Sequence, residues 1–325
     1  MTRHISIDTV REAARSVYRA ALRTPLVRLD YPELDAEVHL KLEALQPIGS
    51  FKIRGAYNAV RQLPADALAK GVWTISAGNA AQGVALAARL MGARSSVLMI
   101  DTAPETKKRA VARLGATIVP ASYDECWRAL EERRSDRMQG HFVHPFDDDA
   151  FISGNGTIGL EILEDLPHVD AVIAPLGGGG LLSGIGCVMR ALRPEAKVYA
   201  AEPSTAAPLA ASLEAGEPRY FPGWTASFVD GAGGKSVIPT MWPMLSAWVD
   251  GSFVVSLEEV AAAIRVTAER ARVIAEGAAG CAVAAALSDR PARLGHRTIV
   301  AVVSGGNIDL DRFADIVASA RASRP

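Results

Sequence analysis

The strongest constraint on the fold is an alternation of short apolar runs with longer segments rich in alanine, leucine and arginine. Runs such as "GVWTIS", "SSVLMI" and "ATIVP" each precede a helical pattern, and a second series contains "DAVIAP", "KVYAAEPS" and "RTIVAVVSGGN". This alternation predicts βαβ units and a parallel sheet. Runs as apolar as "AVIAP" and "TIVAVV" are typical of strands that helices cover on both faces. We therefore predict an α/β fold with its active site at the carboxyl ends of the strands.

Composition then limits the class of protein. With 325 residues and 49% hydrophobic content, the chain can bury a substantial core. A formal net charge of −1 disfavours binding to nucleic acid or to an anionic membrane. The three cysteines are far apart and form no C-x-x-C pair, which suits small core residues in a reducing compartment. Because we find no signal sequence and no uninterrupted apolar stretch of transmembrane length, we expect a cytoplasmic protein.

Three turns rich in glycine or small residues follow predicted strands: "ISAGNAAQG", "PLGGGGLLSG" and "VSGGNID". The first leads into a helix expected to begin near Ala80. In the second, Gly177 to Gly180 leave backbone N–H groups able to approach a ligand, and the following helix N-terminus adds positive potential. Four consecutive glycines cost more chain entropy than a simple turn requires, so we interpret them as a phosphate cradle.

The motifs of several other kinds of binding or catalytic site are incomplete in this sequence. The segment "DGAGGKSV" ends like a nucleotide-binding P-loop, but Val229 stands where its first glycine is needed, and Leu182 stands where a dinucleotide-binding G-x-G-x-x-G motif needs its last. His141 and His144 precede three aspartates, yet no complete metal-ligand set follows. No G-x-S-x-G sequence accompanies a placed histidine, so serine hydrolysis is not indicated.

The remaining pieces suit pyridoxal phosphate. This cofactor needs a lysine amine for its aldehyde, N–H groups for its phosphate, a donor for its ring oxygen and a partner for its ring nitrogen. The lysine in "IGSFKIRGAY", the asparagine at a helix start, the glycine cradle and the Ser-Gly-Gly-Asn turn meet these needs.

The chain resembles, from near Arg23 to about residue 315, the fold-type II pyridoxal-phosphate enzymes, and most closely the short threonine/serine dehydratases and serine racemases. The matching motifs occur in order: "RTPLVRL", "KLEALQPIGSFKIRGA", "SAGNAAQGVA", "HPFDDDAFISGNGTIGLEIL", "PLGGGGLLSG", "AAEPS", "VDGAGGKS", "AEGAAGCAVAA" and "VSGGN". The resemblance implies a tryptophan synthase β-like fold. Residues 1–59 and 147–325 would form a large cofactor-binding domain with a parallel sheet, and residues 60–146 a smaller inserted α/β domain that moves over the site.

Carried over by motif, the resemblance assigns cofactor-binding roles. Lys52 becomes the Schiff-base lysine and Phe51 its neighbour beside the cofactor ring. Asn79 bonds the ring hydroxyl oxygen, and Ser304 meets the pyridine nitrogen. The phosphate is assigned to Gly177, Gly178, Gly179, Gly180 and the N–H of Leu181.

The resemblance also assigns substrate binding to the "SAGNA" loop. The substrate carboxylate is received by Ser76, Asn79 and the N–H groups of the following helix. The remaining loop positions are Ala77, Gly78 and Ala80.

The implied reaction converts a β-hydroxy amino acid to a 2-oxo acid and ammonia through an aminoacrylate, with Lys52 as the base. Serine racemases have a serine at the position of Ala77. Dehydratases commonly have a histidine at the position of Ala80. Dehydration is therefore favoured over racemisation, and phenylserine stays open as a substrate beside threonine and serine. The alternative function is that of a serine racemase or a β-replacement synthase of the same fold. A more remote alternative is a non-catalytic paralogue that binds a ligand.

Three further expectations come from the family. Glu202 and the Ala206 carbonyl match two ligands of the divalent-metal site of many relatives, but Pro208 occupies the aspartate position, so we expect no metal. The chain ends soon after "SGGN", so we expect no regulatory domain of the biosynthetic deaminases. A homodimer that acts on a small-molecule amino acid is implied.

Overall fold

The structure is a computed structural model that describes residues 3–322, in which helices and strands alternate. The strands are β1 Leu26–Arg28, β2 Glu37–Lys41, β3 Val72–Ile75, β4 Ser95–Ile100, β5 Thr117–Ala121, β6 His141–Phe142, β7 Ala171–Pro175, β8 Lys197–Pro203, β9 Gly251–Val255 and β10 Thr298–Val302. The α-helices are α1 Ile7–Val17, α2 Lys52–Arg61, α3 Ala65–Lys70, α4 Asn79–Leu90, α5 Glu105–Arg113, α6 Tyr123–Glu132, α7 Asp149–Asp165, α8 Gly180–Leu192, α9 Pro208–Ala215, α10 Trp242–Trp248, α11 Leu257–Val266, α12 Gly277–Leu287, α13 Arg290–Arg293 and α14 Leu310–Ala322.

Two compact units make up the described chain. The first unit contains residues 3–22 and 46–157, and the second contains residues 23–45 and 158–322. The first unit is built around a four-stranded sheet in the order β5-β4-β3-β6, in which every pair is parallel. Its strands lead into helices at their carboxyl ends, as in the βαβ units that the alternation predicts.

The second unit is built around a six-stranded sheet in the order β1-β2-β10-β7-β8-β9. All its neighbouring strands are parallel except β1 and β2. The residue pairs Val302 with Lys41 and Pro175 with Ala201 bring the carboxyl ends of β10, β2, β7 and β8 to one edge of the sheet. Segments that follow these strands therefore lie near one another.

Helix α12 lies in the core of the second unit. Its residues are small and apolar all round, "GAAGCAVAAAL", and from Gly277 to Ala286 every one is buried. They pack in one cluster with residues of β2, β7, β8 and β10, among them Leu40, Ile173 and Ile299. A helix without a polar face is stable only when it is surrounded, and here it supports the six-stranded sheet.

The predicted α/β class with parallel sheets is confirmed. The antiparallel pair of β1 and β2 was not predicted. Strand β1 has only three residues, of which the first is half-buried and the other two are exposed, so it shows no alternating pattern. Cys126, Cys187 and Cys281 are all buried and unpaired, as expected of small core residues. Within residues 3–322, no helix combines the length and the apolar character needed to span a membrane.

Candidate active site

Lys52 is the first residue of α2 and is half-buried. Its Nζ donates a 2.7 Å hydrogen bond to the carbonyl oxygen of Pro145. The same Nζ lies 5.2 Å from the ring centroid of Phe51 and 5.3 Å from that of Phe151, within the range of cation–π attraction. The lysine amine is therefore held by one carbonyl and two aromatic rings of the first unit.

The helix that carries Lys52 is anchored by a buried arginine. Arg54 is fully buried, and its guanidinium donates to Thr157 Oγ1 and to the Leu22 carbonyl, each at 3.1 Å. A Cβ on Gly83 of α4 would lie 3.1 Å from the Lys52 carbonyl oxygen, so glycine allows the two helices to approach closely. This packing keeps the first turn of α2 in place.

The predicted substrate loop follows β3. Helix α4 begins at Asn79, one residue earlier than expected, and its N-cap residue is Gly78, which has no side chain to cap the helix. The Ser76 hydroxyl accepts the N–H of Gly78 at 3.0 Å, which shapes the loop. A Cβ on Gly78 would have no atom within 4 Å. An open loop at a helix N-terminus can receive a carboxylate, because the helix dipole favours negative charge there.

Two residues of this loop carry only a methyl group. Ala80 is 4% exposed. Ala77 is partly buried against a cluster that includes Ala81 and Val97. Neither side chain can donate or accept a proton.

The four glycines lie in the second unit, between β7 and α8. Gly177 is exposed, and a Cβ there would lie 2.8 Å from the Gly231 carbonyl oxygen. Gly179 has φ +89°, in the left-handed region that favours glycine, and it is the N-cap residue of α8, which begins at Gly180. Backbone alone therefore forms this turn, and its N–H groups and the helix dipole suit a phosphate.

Ser304 follows β10 at the same edge of the same sheet as the glycine turn. It is 1% exposed, and the preceding Val303 N–H donates to the Lys41 carbonyl at 2.9 Å. The next residue, Gly305, accepts the N–H of Glu276 at 3.0 Å. Glu276 is itself 5% exposed at the start of α12, and its motif "AEGAAG" was the only sequence signal for its position.

Glu202 serves as a cap for α9. Its carboxylate accepts the N–H groups of Leu209 at 2.8 Å and Ala210 at 2.9 Å, and the Ser252 hydroxyl at 2.6 Å. Burial raises the pKa of this carboxyl group, and the three donors oppose that rise. Within the described chain, no group of three or more His, Cys, Asp or Glu side chains is arranged to hold a metal ion.

His144 belongs to the turn before α7, where its Nδ1 accepts the N–H of Asp147 at 2.8 Å. It is 3% exposed, and burial lowers its pKa to about 3. The sequence did not predict that the turn containing His144 contacts Lys52, through the Pro145 carbonyl.

Comparisons with known proteins agree with one another. Residues 17–305 match the family described as pyridoxal-phosphate dependent enzyme. L-threonine ammonia-lyase of Thermotoga maritima is 37% identical over 317 residues, which cover 96% of this chain and 78% of that protein. Serine racemase of Homo sapiens is 41% identical over 278 residues, 83% and 81% of the two chains. The structure of maize serine racemase aligns with a TM-score of 0.87 at 32% identity, covering 98% of each chain.

Proposed function

Because the chain belongs to the pyridoxal-phosphate-dependent enzymes of fold type II, with threonine ammonia-lyases and serine racemases as relatives, we propose that it is a hydroxy-amino-acid ammonia-lyase. Its proposed products are a 2-oxo acid and ammonia, from threonine, serine or an aryl analogue such as phenylserine. The observation that carries the proposal is the Lys52 amine, held at the start of α2 by the Pro145 carbonyl.

The described residues fit the cofactor. A Cβ at Gly177 would collide with the Gly231 carbonyl, and Gly179 has a left-handed φ, so this turn excludes side chains and presents N–H groups. We assign the phosphate to Gly177–Gly180 with the Leu181 N–H. Ser304 takes the ring nitrogen, Asn79 the ring hydroxyl, and Phe51 packs beside the ring. When bound, pyridoxal phosphate disperses the negative charge left on the substrate Cα after its proton is removed.

The residues of the chain have distinct tasks in the reaction. The Lys52 Nζ removes the Cα proton, and the Pro145 carbonyl orients that amine through its hydrogen bond. The N-terminus of α4, with Ser76 and Asn79, binds the substrate carboxylate. The proton on Lys52 is then available to the β-hydroxyl oxygen, which leaves as water.

Racemisation is the second candidate, and the 41% identity to a serine racemase favours keeping it. A racemase needs a proton donor on the face opposite the lysine, and Ala77 offers only a methyl group. A β-replacement synthase of the same fold is the third candidate, although its "TSGNTG"-like loop differs from "SAGNAAQG". We therefore rank elimination first.

The substrate loop supports a β-substituent larger than methyl. Ala80 replaces the histidine common among dehydratases, which removes bulk and a donor beside the loop. The open space beside Gly78 also favours a larger β-substituent. We propose phenylserine as a substrate on this ground.

The test is release of 2-oxo acid and ammonia from the cofactor-loaded protein, with threonine, serine, phenylserine and 3-hydroxyaspartate compared. Lys52→Ala should retain its circular dichroism spectrum but lose the yellow colour and turnover. Lys70→Ala, which removes an exposed lysine, is the matched control and should keep both. Full turnover by Lys52→Ala would refute the assignment, and a colourless wild-type protein would favour a non-catalytic paralogue.

Ala80→His tests the substrate proposal separately. If space beside Ala80 admits an aryl group, the variant should lose activity on phenylserine relative to threonine. An unchanged ratio of the two rates would mean that specificity is decided elsewhere.

A further inference from the structure

The turn from His144 to Asp147 connects β6 with α7 and lies against Lys52. Within it, His144 Nδ1 accepts the Asp147 N–H at 2.8 Å, which closes the turn. Pro145 stands between these two residues, and its ring fixes one backbone dihedral. The closed turn and the fixed dihedral together orient the Pro145 carbonyl, which accepts the bond from Lys52 Nζ.

Asp147 is held by two arginines from distant parts of the first unit. Its side chain is 3% exposed and forms ion pairs with Arg3 and Arg133. Arg133 also donates to the Asp147 backbone carbonyl at 2.9 Å, and Arg3 to Asp149 Oδ1 at 2.7 Å. Removing one partner of a buried carboxylate is costly, unlike loss of an exposed pair. The turn is thus fastened through Asp147 at both its main chain and its side chain.

The backbone of Arg133 indicates that its side chain is required. This residue ends α6 with φ 53° and ψ 31°, a left-handed conformation in which glycine would be unstrained. Within residues 3–322, Arg272 is the only other non-glycine residue with positive φ. Strain of this kind persists where surrounding interactions enforce it, and it clusters at functional sites. In this conformation Arg133 binds both the carboxylate and the backbone carbonyl of Asp147.

We propose that Asp147, held by Arg3 and Arg133, is a positioning residue for Lys52: it fixes the turn whose Pro145 carbonyl binds the lysine amine. The inference rests on the proposed role of Lys52. A lysine side chain has four carbon–carbon bonds about which it can rotate, so a fixed acceptor removes conformations in which the amine points away from the reacting atoms. Asp147, Arg3 and Arg133 can have this effect without touching substrate or cofactor.

The test follows covalent attachment of pyridoxal phosphate to Lys52 in the full-length chain after removal of cofactor. At successive times the cofactor–lysine bond is reduced with borohydride, and the modified Lys52 peptide is quantified by mass spectrometry. The absorbance spectrum of each holoenzyme is recorded as a second readout. All measurements are made well below the melting temperature of each variant.

Arg133→Gly should slow attachment about tenfold, the change expected for loss of a hydrogen bond that involves a charged group. Its holoenzyme spectrum should also change. Glycine relieves the strained φ but removes one partner of the buried Asp147 carboxylate, so a purely structural role predicts a lower melting temperature with a wild-type rate. Arg133→Lys should restore part of the rate, because lysine keeps the charge but is shorter and lacks the planar guanidinium.

Arg134→Ala is the matched control, since Arg134 is the next residue and pairs with Asp136 at the surface. It should attach cofactor at the wild-type rate. If wild-type protein is modified at Lys52 and Arg133→Gly reacts equally fast, the positioning inference is wrong while the proposed function stands. Modification of the wild type at another lysine would overturn both. Should Arg133→Gly fail to fold, Arg133→Lys decides: a rate below wild type supports the inference, and an equal rate refutes it.

Discussion

At the scale of single residues, the turn that binds the Lys52 amine contains a histidine that the structure keeps uncharged. Burial lowers the pKa of His144 to about 3, from an ordinary 6.5. Its ring also lies near the charges of Asp147, Arg133, Lys52 and Arg3, of which only Asp147 favours the protonated form. The imidazole is therefore neutral at working pH, with the Asp147 N–H on Nδ1.

This shift predicts a loss of stability in acid. Between about pH 6.5 and 3 the unfolded chain binds a proton at His144 that the folded chain excludes, so the free energy of unfolding falls as the pH is lowered through this window. The effect should be of the order of a few kcal/mol. His144→Asn keeps an acceptor for the Asp147 N–H but cannot be protonated, and its stability should depend less on pH.

The measurement is urea unfolding of both proteins at a series of pH values. His168→Asn, at an exposed position, is the control and should follow the wild type. Parallel curves for wild type and His144→Asn would show that His144 is not excluded from protonation.

At the scale of elements, the connections from β3 to α4 and from β7 to α8 form their turns in different ways. After β3, Ser76 shapes the turn by accepting the Gly78 N–H, and α4 then starts at Asn79. After β7, glycines alone make the turn before α8. Both helices have a glycine as the N-cap residue, and the dipole of a helix favours negative charge at its N-terminus.

The glycine turn is tested by two alanine variants with the same backbone cost. Gly179 has φ +89° beside α8, and Gly216 has φ +74° at the end of α9, where a Cβ would meet no atom within 4 Å. Alanine in the left-handed region costs about 1 kcal/mol at either position, so both variants should lose melting temperature. Gly179→Ala alone should also bind pyridoxal phosphate more weakly, because its Cβ would lie 2.9 Å from a methyl group of Leu245 and so displace the turn.

Titration of each protein with pyridoxal phosphate, followed by absorbance, separates the two effects. Gly216→Ala reports the cost of the backbone alone and should keep the wild-type dissociation constant. Equal dissociation constants for all three proteins would remove Gly179 from the proposed phosphate site.

At the scale of the whole molecule, the two compact units differ in extent from the domains expected from motif order. The predicted border at residues 59 and 60 falls inside α2, which is continuous from Lys52 to Arg61. Within the first unit, α2 contacts α4 at Gly83 and α7 at Gly154, whose Cβ would lie 2.5 Å from the Arg54 carbonyl oxygen. The limits 60–146 stay a prediction, as do the homodimer and the cytoplasmic location.

Hydrogen exchange can decide the limits. If α2 belongs with the four-stranded sheet, its amides and those of α4 should open with the same free energy in native-state exchange. Amides of α12 in the second unit provide the comparison. Exchange of α2 together with α12, at a free energy distinct from that of α4, would instead support the border at residue 60.

Sequence patterns correctly predict the α/β class, the parallel strands β3, β4, β5, β7, β8 and β10, the glycine turns and the family, because these depend on patterns within a few residues and on motif order. They also identify Lys52, whose surrounding motif is local. The contacts between Pro145 and Lys52, between Arg3 and Asp147, and between Glu202, α9 and Ser252 are visible only in the folded chain. These contacts join residues far apart in the chain, and their geometry depends on how the intervening elements pack, which no local pattern encodes.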